Sequence, residues 1–247
     1  MEKQELTRND MAVNLIAAKI VNNRQKHNGL CCLCGAPVPH ENSGLCKPCA
    51  SDLPGNDTAC PACAVPMPAP LLCPECLQYP NHDITSVFAL HKYEYPINRL
   101  IHDMKYQARI DIAFGMGRQL GLAVLGQGLL IPDCIIPVPL HGSRVAERGY
   151  NQSLEIARPV ANMLGIPVDV KSCIRNRRTP PQTGLPALQR RRNIRGAFTI
   201  TRTPDYNHAV IIDDVVTTCS TVREMGRILL RAGVKRLDVW ACARAFC

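Results

Sequence analysis

Two groups of residues have the types and spacing to do chemistry. The first is Val210-Ile211-Ile212-Asp213-Asp214-Val215-Val216-Thr217-Thr218-Cys219-Ser220-Thr221. Its branched apolar residues predict a buried strand. Two adjacent carboxylates follow, then a run of hydroxyls. Val222, Met225, Ile228, Leu229 and Ala232 then recur at helical spacing, and Gly233 is placed to end the helix. Main-chain N–H groups in a turn that opens a helix point at an anion, and hydroxyls add donors. Carboxylates at a strand's end can accept from ribose hydroxyls or face a magnesium ion indirectly. The chemistry is therefore the binding of a phosphorylated sugar. A buried strand before a capped helix would account for Asp-Asp alone. It does not account for Asp-Asp-x-x-Thr-Thr-x-x-Thr placed directly after β-branched residues.

The second group is eight cysteines in four Cys-x-x-Cys pairs: Cys31/Cys34, Cys46/Cys49, Cys60/Cys63 and Cys73/Cys76. The pairs are separated by 11, 10 and 9 residues, with Gly35, Pro61 and Pro74 around them. Each pair makes a knuckle that presents two thiolates to one tetrahedral ion, and two knuckles close a site. Two structural zinc ions are expected, in sequential order, first pair with second and third with fourth. The stretch is too small to bury a core of its own, so metal must supply folding energy. Four pairs exceed what one redox site needs. Cys32 is the spare thiol, and His40 is read as a solvated histidine.

The chain has 247 residues, net charge +9, pI near 9.0 and 14 cysteines. That length suits one α/β unit plus a small module, and the charge suits anionic partners. Cys-x-x-Cys pairing in an α/β chain argues for metal in a reducing compartment rather than a disulfide framework. Met11 to Val21 is apolar but broken by Asn14 and Lys19, which fits a short helix and neither a secretory signal nor a membrane span. A cytoplasmic protein without membrane insertion is expected. The expected organisation is an N-terminal extension over 1–28, a cysteine module over 29–80 and an α/β domain over 81–247.

Several elements must position these groups. Ile84 to Tyr93 alternates like an edge strand, and Pro96 opens a helix with Leu100, Ile101 and Met104 on one face, ending near Lys105. A second helix is expected from about Asp111 to Leu125. Its Gly115, Gly117 and Gly121 do not have dinucleotide-motif spacing. Cys134 to Leu140 is a strand running into a loop with Arg144, Arg148, Gly149, Tyr150, Asn151 and Gln152. A helix from about Leu154 to Leu164 follows, stopped by Gly165. A strand, an Arg- and Gly-bearing loop and a helix start again make an anion site. Lys171, Arg175, Arg177, Arg178, Arg190, Arg191, Arg192 and Arg195 then fall in a segment without Asp or Glu. Arg177 to Gly184 reads as a flexible loop. Arg236 to Ala243 is a last strand.

The Asp213–Thr221 stretch resembles the phosphoribosyl-diphosphate signature of type I phosphoribosyltransferases. Pro137-Val138-Pro139-Leu140 followed by Arg148-Gly149-Tyr150-Asn151-Gln152 is similar to the ComF family, also called GntX. Gln182, Leu185, Arg190 to Arg192, Asn193 and Gly196-Ala197-Phe198 fit the same family. The resemblance implies a type I phosphoribosyltransferase-like parallel sheet with helices on both faces, preceded by a double zinc ribbon. It implies that Asp213 and Asp214 hold the ribose and steady developing charge. It implies that Thr217, Thr218, Cys219, Ser220 and Thr221 hold the 5′-phosphate, with Arg144, Arg148 and Lys105 near the pyrophosphate and magnesium bound with the phosphosugar. It also implies a role in DNA uptake and utilization, beside other DNA-uptake proteins. The family usually has glycine where this chain has Cys219, and cysteine fits there with a negative φ.

Three functions stay open on these residues. One is a phosphoribosyltransferase or a binder of phosphoribosyl diphosphate or a nucleotide. Another is a nucleic-acid module in which Arg178, Arg190, Arg191 and Arg192 contact single-stranded DNA; with 4% aromatic residues it would bind electrostatically rather than by stacking. The last is a zinc-ribbon interaction protein.

Overall fold

A computed structural model describes residues 29–38, 44–80, 83–178 and 193–246. The expected N-terminal helix, His40 and Arg190 to Arg192 lie outside the described residues. Short helices α1 (Lys47–Ser51) and α2 (Pro74–Gln78) each start one residue after a cysteine, with proline in the first turn. Then come β1 (Ser86–Lys92), α3 (Ile97–Tyr106), α4 (Ile110–Gly126), β2 (Cys134–Pro137), α5 (Gly142–Arg148) and α6 (Gln152–Leu164). The chain ends with β3 (Cys173–Arg175), β4 (Phe198–Ile200), β5 (His208–Val216), α7 (Ser220–Arg231) and β6 (Arg236–Arg244).

Four strands form a parallel sheet in the order β1-β6-β5-β2, so the alternating strand β1 is an edge, as expected. β3 and β4 make a separate antiparallel pair. The central strands are apolar on both faces because both are covered. Ala209 and Ile211 of β5, with Val239 and Ala241 of β6, face a core that contains Val222, Met225 and Leu229 of α7. Val210, Ile212, Trp240 and Cys242 face the core built on α3, α4 and α6.

Gly117 of α4 has a packing role. A Cβ there would stand 2.3 Å from the carbonyl of Ile156 and 2.6 Å from Pro159, so only glycine admits α6 this close.

The cysteine module lies along the outer edge of β1. Val87 N–H donates to the Pro61 carbonyl at 3.2 Å, Asn56 N–H to Leu90 at 3.1 Å and Lys92 N–H to Pro54 at 2.9 Å. Asn56 Nδ2 also reaches the carbonyls of Ala64 and Ala89. These bonds occupy an edge that would otherwise expose unpaired main-chain groups. The module also shares the cores of the sheet. Cys31 and Leu45 bury with α3 and α4, and Cys60 and Cys63 bury with α7.

Candidate functional site

The segments leaving the carboxyl ends of β1, β2 and β5 converge, the usual place for a ligand in an open parallel sheet. They enclose a cavity of about 450 Å³. Lys105 reaches it from α3, Arg144 and Arg148 from α5, and Asp213 to Thr217 from β5 and its exit. Cys219, Ser220 and Thr221 complete the wall. Strand β5 is longer than expected, because it runs through both carboxylates to Val216. Arg144 and Arg148 sit on a helix rather than a loop, and Gly149 ends that helix with φ of 85°.

The carboxylates differ. Asp214 is buried, and its Oδ1 pairs with Lys105 Nζ at 2.9 Å. Its Oδ2 has no hydrogen-bond partner among the described residues. Asp213 Oδ1 accepts from Ser153 Oγ at 3.2 Å and from the Asp214 N–H at 2.9 Å. Burial and the adjacent Asp214 charge raise the Asp213 carboxyl to about 7, against Lys105 and these two donors. Burial opposes the Lys105 ammonium, but Asp214 and then Asp213 more than offset it and raise its pKa.

The stretch after β2 supports this pair. Asn151 caps α6, accepting from the N–H groups of Ser153 and Leu154, and donates to the Val138 carbonyl at 3.0 Å. That places Ser153 against Asp213. Gln152 accepts from Arg148 at 2.6 Å, and the Arg148 guanidinium lies 5.6 Å from the Tyr106 ring centroid.

The hydroxyl turn is tight. Thr218 and Ser220 share a hydrogen bond of 2.7 Å, and Thr218 is outside the cavity lining. Cys219 has φ of 57°, so the negative φ under which a cysteine would fit there is not what forms. The turn imposes the left-handed conformation that glycine takes freely. Sequence reasoning missed Ser153, Tyr93, Tyr106 and Phe246, which line the cavity, and took Arg175 for the DNA segment although it lines the cavity too. Arg175 is the end of β3, four residues before the stretch outside the described residues. There it pairs with Phe198 of β4.

The cysteines form two clusters in the expected order, Cys31/Cys34/Cys46/Cys49 and Cys60/Cys63/Cys73/Cys76, with sulfurs within 4.8 Å of one another. Cys34 and Cys46 sulfurs are 3.6 Å apart, and those of Cys63 and Cys73 are 3.7 Å apart. A tetrahedron with metal–sulfur bonds of about 2.3 Å has edges near 3.8 Å, so the donor set fits zinc. Burial opposes the Cys31 thiolate, but N–H groups of Cys46, Cys34 and Leu33 lower its pKa to about 6. The N–H groups of Cys73, Ala62 and Cys63 likewise overcome burial at Cys60, to about 7. Cys32 is outside both clusters, and burial with the Cys31 charge raises it to about 12.

No protein-family model matches the chain. The DNA utilization protein YhgH of Salmonella typhimurium is 38% identical over 221 residues, which are 87% of this chain and 97% of that protein. Competence protein F of Haemophilus influenzae is 32% identical over 225 residues, 88% of this chain and 91% of that one. The chain belongs to the YhgH and competence protein F family. The YhgH protein of Escherichia coli strain K12 is 37% identical with the same coverage as the Salmonella protein.

Among solved structures, a purine phosphoribosyltransferase from Pyrococcus horikoshii is 18% identical, with a TM-score of 0.31 over 53% of this chain and 78% of that one. An orotate phosphoribosyltransferase from Aeropyrum pernix is 20% identical, with a TM-score of 0.30 over 57% and 59%. The fold class rests on the strand order of this family member itself. Its basic segment is described only at the ends. Arg177 donates to the carbonyls of Asn193 at 2.7 Å and Arg195 at 2.6 Å, which ties the two ends together. Arg178 is exposed and does not line the cavity. Among the described residues, no helix is long and apolar enough to cross a membrane.

Proposed function

We propose that this family member binds phosphoribosyl diphosphate or a related nucleotide in the cavity at the end of β5, and that it acts in the use of incoming DNA. One observation carries the reading. The Asp213–Asp214 pair, the cations Lys105, Arg144 and Arg148, and the hydroxyl turn line a single cavity. The turn and the start of α7 suit a phosphate, the arginines suit further phosphates, and the unsatisfied Oδ2 of Asp214 suits a ribose hydroxyl.

Magnesium fits the same residues. Asp213 and Asp214 would hold the ion, beside the Lys105 that pairs with Asp214 Oδ1. Bound there, magnesium would screen the diphosphate charge. The chain's own residues would orient the sugar and keep its phosphates in a cationic field. The two cysteine clusters would each hold one structural zinc.

A transferase reading is supported by Tyr93, Tyr106 and Phe246 on the same cavity, where a planar acceptor has apolar faces to meet. The DNA role rests on the named relatives and on the basic segment, which would meet single-stranded DNA.

Calorimetry with phosphoribosyl diphosphate and magnesium tests the reading. Binding is expected, and Asp214→Asn should weaken it by about 1–3 kcal/mol, the loss of a charged hydrogen bond. Absence of binding by the parent protein overturns it. Pyrophosphate release on adding nucleobases separates enzyme from binder.

A further inference from the structure

Arg244, the last residue of β6, is buried, and its side chain crosses from the sheet to the cysteine module. Nε donates to the carbonyl of Cys63 at 2.7 Å, inside the second cluster. Nη1 donates to the carbonyl of Val216 at 3.4 Å and to that of Ala245. The Val216 carbonyl also takes the Ala245 N–H at 2.9 Å, and the Arg244 carbonyl takes the Tyr93 N–H at 2.9 Å. Tyr93, Val216 and Ala245 all line the cavity. One guanidinium therefore joins a metal knuckle to the cavity wall, at the residue just before the hydroxyl turn. Apolar packing follows the same path, because Cys60, Cys63, Val216, Cys219 and Val222 bury in one core.

A planar guanidinium holds its acceptors in a fixed mutual position, which an ammonium does not. The Cys63 carbonyl is placed by the knuckle, whose turn is closed by Ala64 N–H to the Cys60 carbonyl at 2.7 Å and would be held further by a metal shared among the four sulfurs. Without the metal, the knuckle loses the bonds that hold its two sulfurs together, and the Cys63 carbonyl loses its fixed place. Arg244 then loses its anchor on the knuckle, and its bond to the Val216 carbonyl, which adds to that of the Ala245 N–H, is no longer held in place. The first cluster buries on the opposite face, with Ile97 and Leu100 of α3, and supplies an internal control.

We propose that Arg244 is a positioning residue that couples metal occupancy of the Cys60/Cys63/Cys73/Cys76 site to the anion affinity of the Thr217–Thr221 turn. The proposal rests on the reading of that turn as the phosphate site. Coupling of this kind is reciprocal, so the ligand must in turn retain the metal.

The test uses the full chain loaded with zinc and challenged with a chromophoric chelator, with and without phosphoribosyl diphosphate and magnesium. At equilibrium with the chelator, one of the two zinc equivalents is expected to be held about fivefold more tightly with the ligand, at the low end of allosteric couplings. Arg244→Leu should remove that difference and leave the other equivalent unchanged. Should Arg244→Leu fail to fold, Arg244→Lys keeps the charge without the planar fork, and it should weaken the coupling. Hydrogen exchange over residues 216–222, measured without ligand, should rise when that zinc is withdrawn. A zinc affinity indifferent to a ligand that calorimetry shows to be bound would overturn the coupling while leaving the site reading intact. No ligand binding at all overturns both. Exchange that does not move on zinc withdrawal overturns the role of Arg244.

Discussion

The Lys105 ammonium stands 2.9 Å from Asp214 Oδ1, with side-chain exposures of 24% and 5%. This pair joins the helix after β1 to the end of β5, so it closes the cavity from two sides. Lys105→Met would leave the Asp214 charge buried and unpaired, at a cost of about 3–5 kcal/mol. Adding Asp214→Asn should recover part of that loss, and denaturant unfolding of both single variants and the double variant measures it.

Asp213 gives the cavity a pH dependence. Its carboxyl is raised from 3.8 to about 7 by burial and by Asp214, so the folded chain holds that proton longer than the unfolded chain does. Between these values stability falls as pH rises, by up to about 1.4 kcal/mol per pH unit. Asp213→Asn carries no such charge. Its melting temperature should match the parent's near pH 4 and exceed it increasingly towards pH 8. A difference that stays constant with pH would count against the raised carboxyl.

Cys219 holds a φ of 57° at the mouth of α7 and is buried. Left-handed geometry costs a non-glycine residue about 1–2 kcal/mol, and Cys219→Gly removes that cost while losing buried side-chain contacts. Stability should change by less than about 1 kcal/mol, and affinity for phosphoribosyl diphosphate should rise because the main chain can approach the phosphate. Cys219→Val should lower both, since a β-branched side chain tolerates this φ worst. Calorimetry and thermal unfolding of the two variants decide.

Metal analysis of the purified chain should give two zinc ions, one per four-cysteine cluster. Cys46→Ser should lose one equivalent and lower the melting temperature, because the first cluster shares a core with α3 and α4. A stoichiometry near one for the parent would mean that one cluster is vestigial.

Binding to single-stranded DNA should weaken with salt, with a slope of about −0.7 per phosphate neutralised. Charge reversal of Arg191 and Arg192 should cut the slope by about 1.4 to 2 and leave phosphoribosyl diphosphate binding nearly intact. An unchanged slope removes the basic segment as the footprint. Collapse of phosphoribosyl diphosphate binding instead assigns the segment to the cavity.

Local patterns were enough to read much of this protein from its residues. Cys-x-x-Cys spacing marked the four knuckles, because each closes within four residues, and the fold decided which two knuckles share a cluster. The β-branched run determined β5, and Gly165 placed the end of α6. The Asp-Asp and hydroxyl pattern pointed to the strand end at which the cavity lies. Tertiary structure decided what contact across the chain creates. Lys105 meets Asp214 only because β1 and β5 end on the same side of a parallel sheet. Ser153 reaches Asp213 because Asn151 caps α6, and Arg175 lines the cavity from the end of β3, where it pairs with Phe198 of β4. The φ of Cys219 is imposed by the turn it closes, against the preference of its own side chain. The bond from Arg244 to Cys63 spans most of the chain, and no local spacing encodes it.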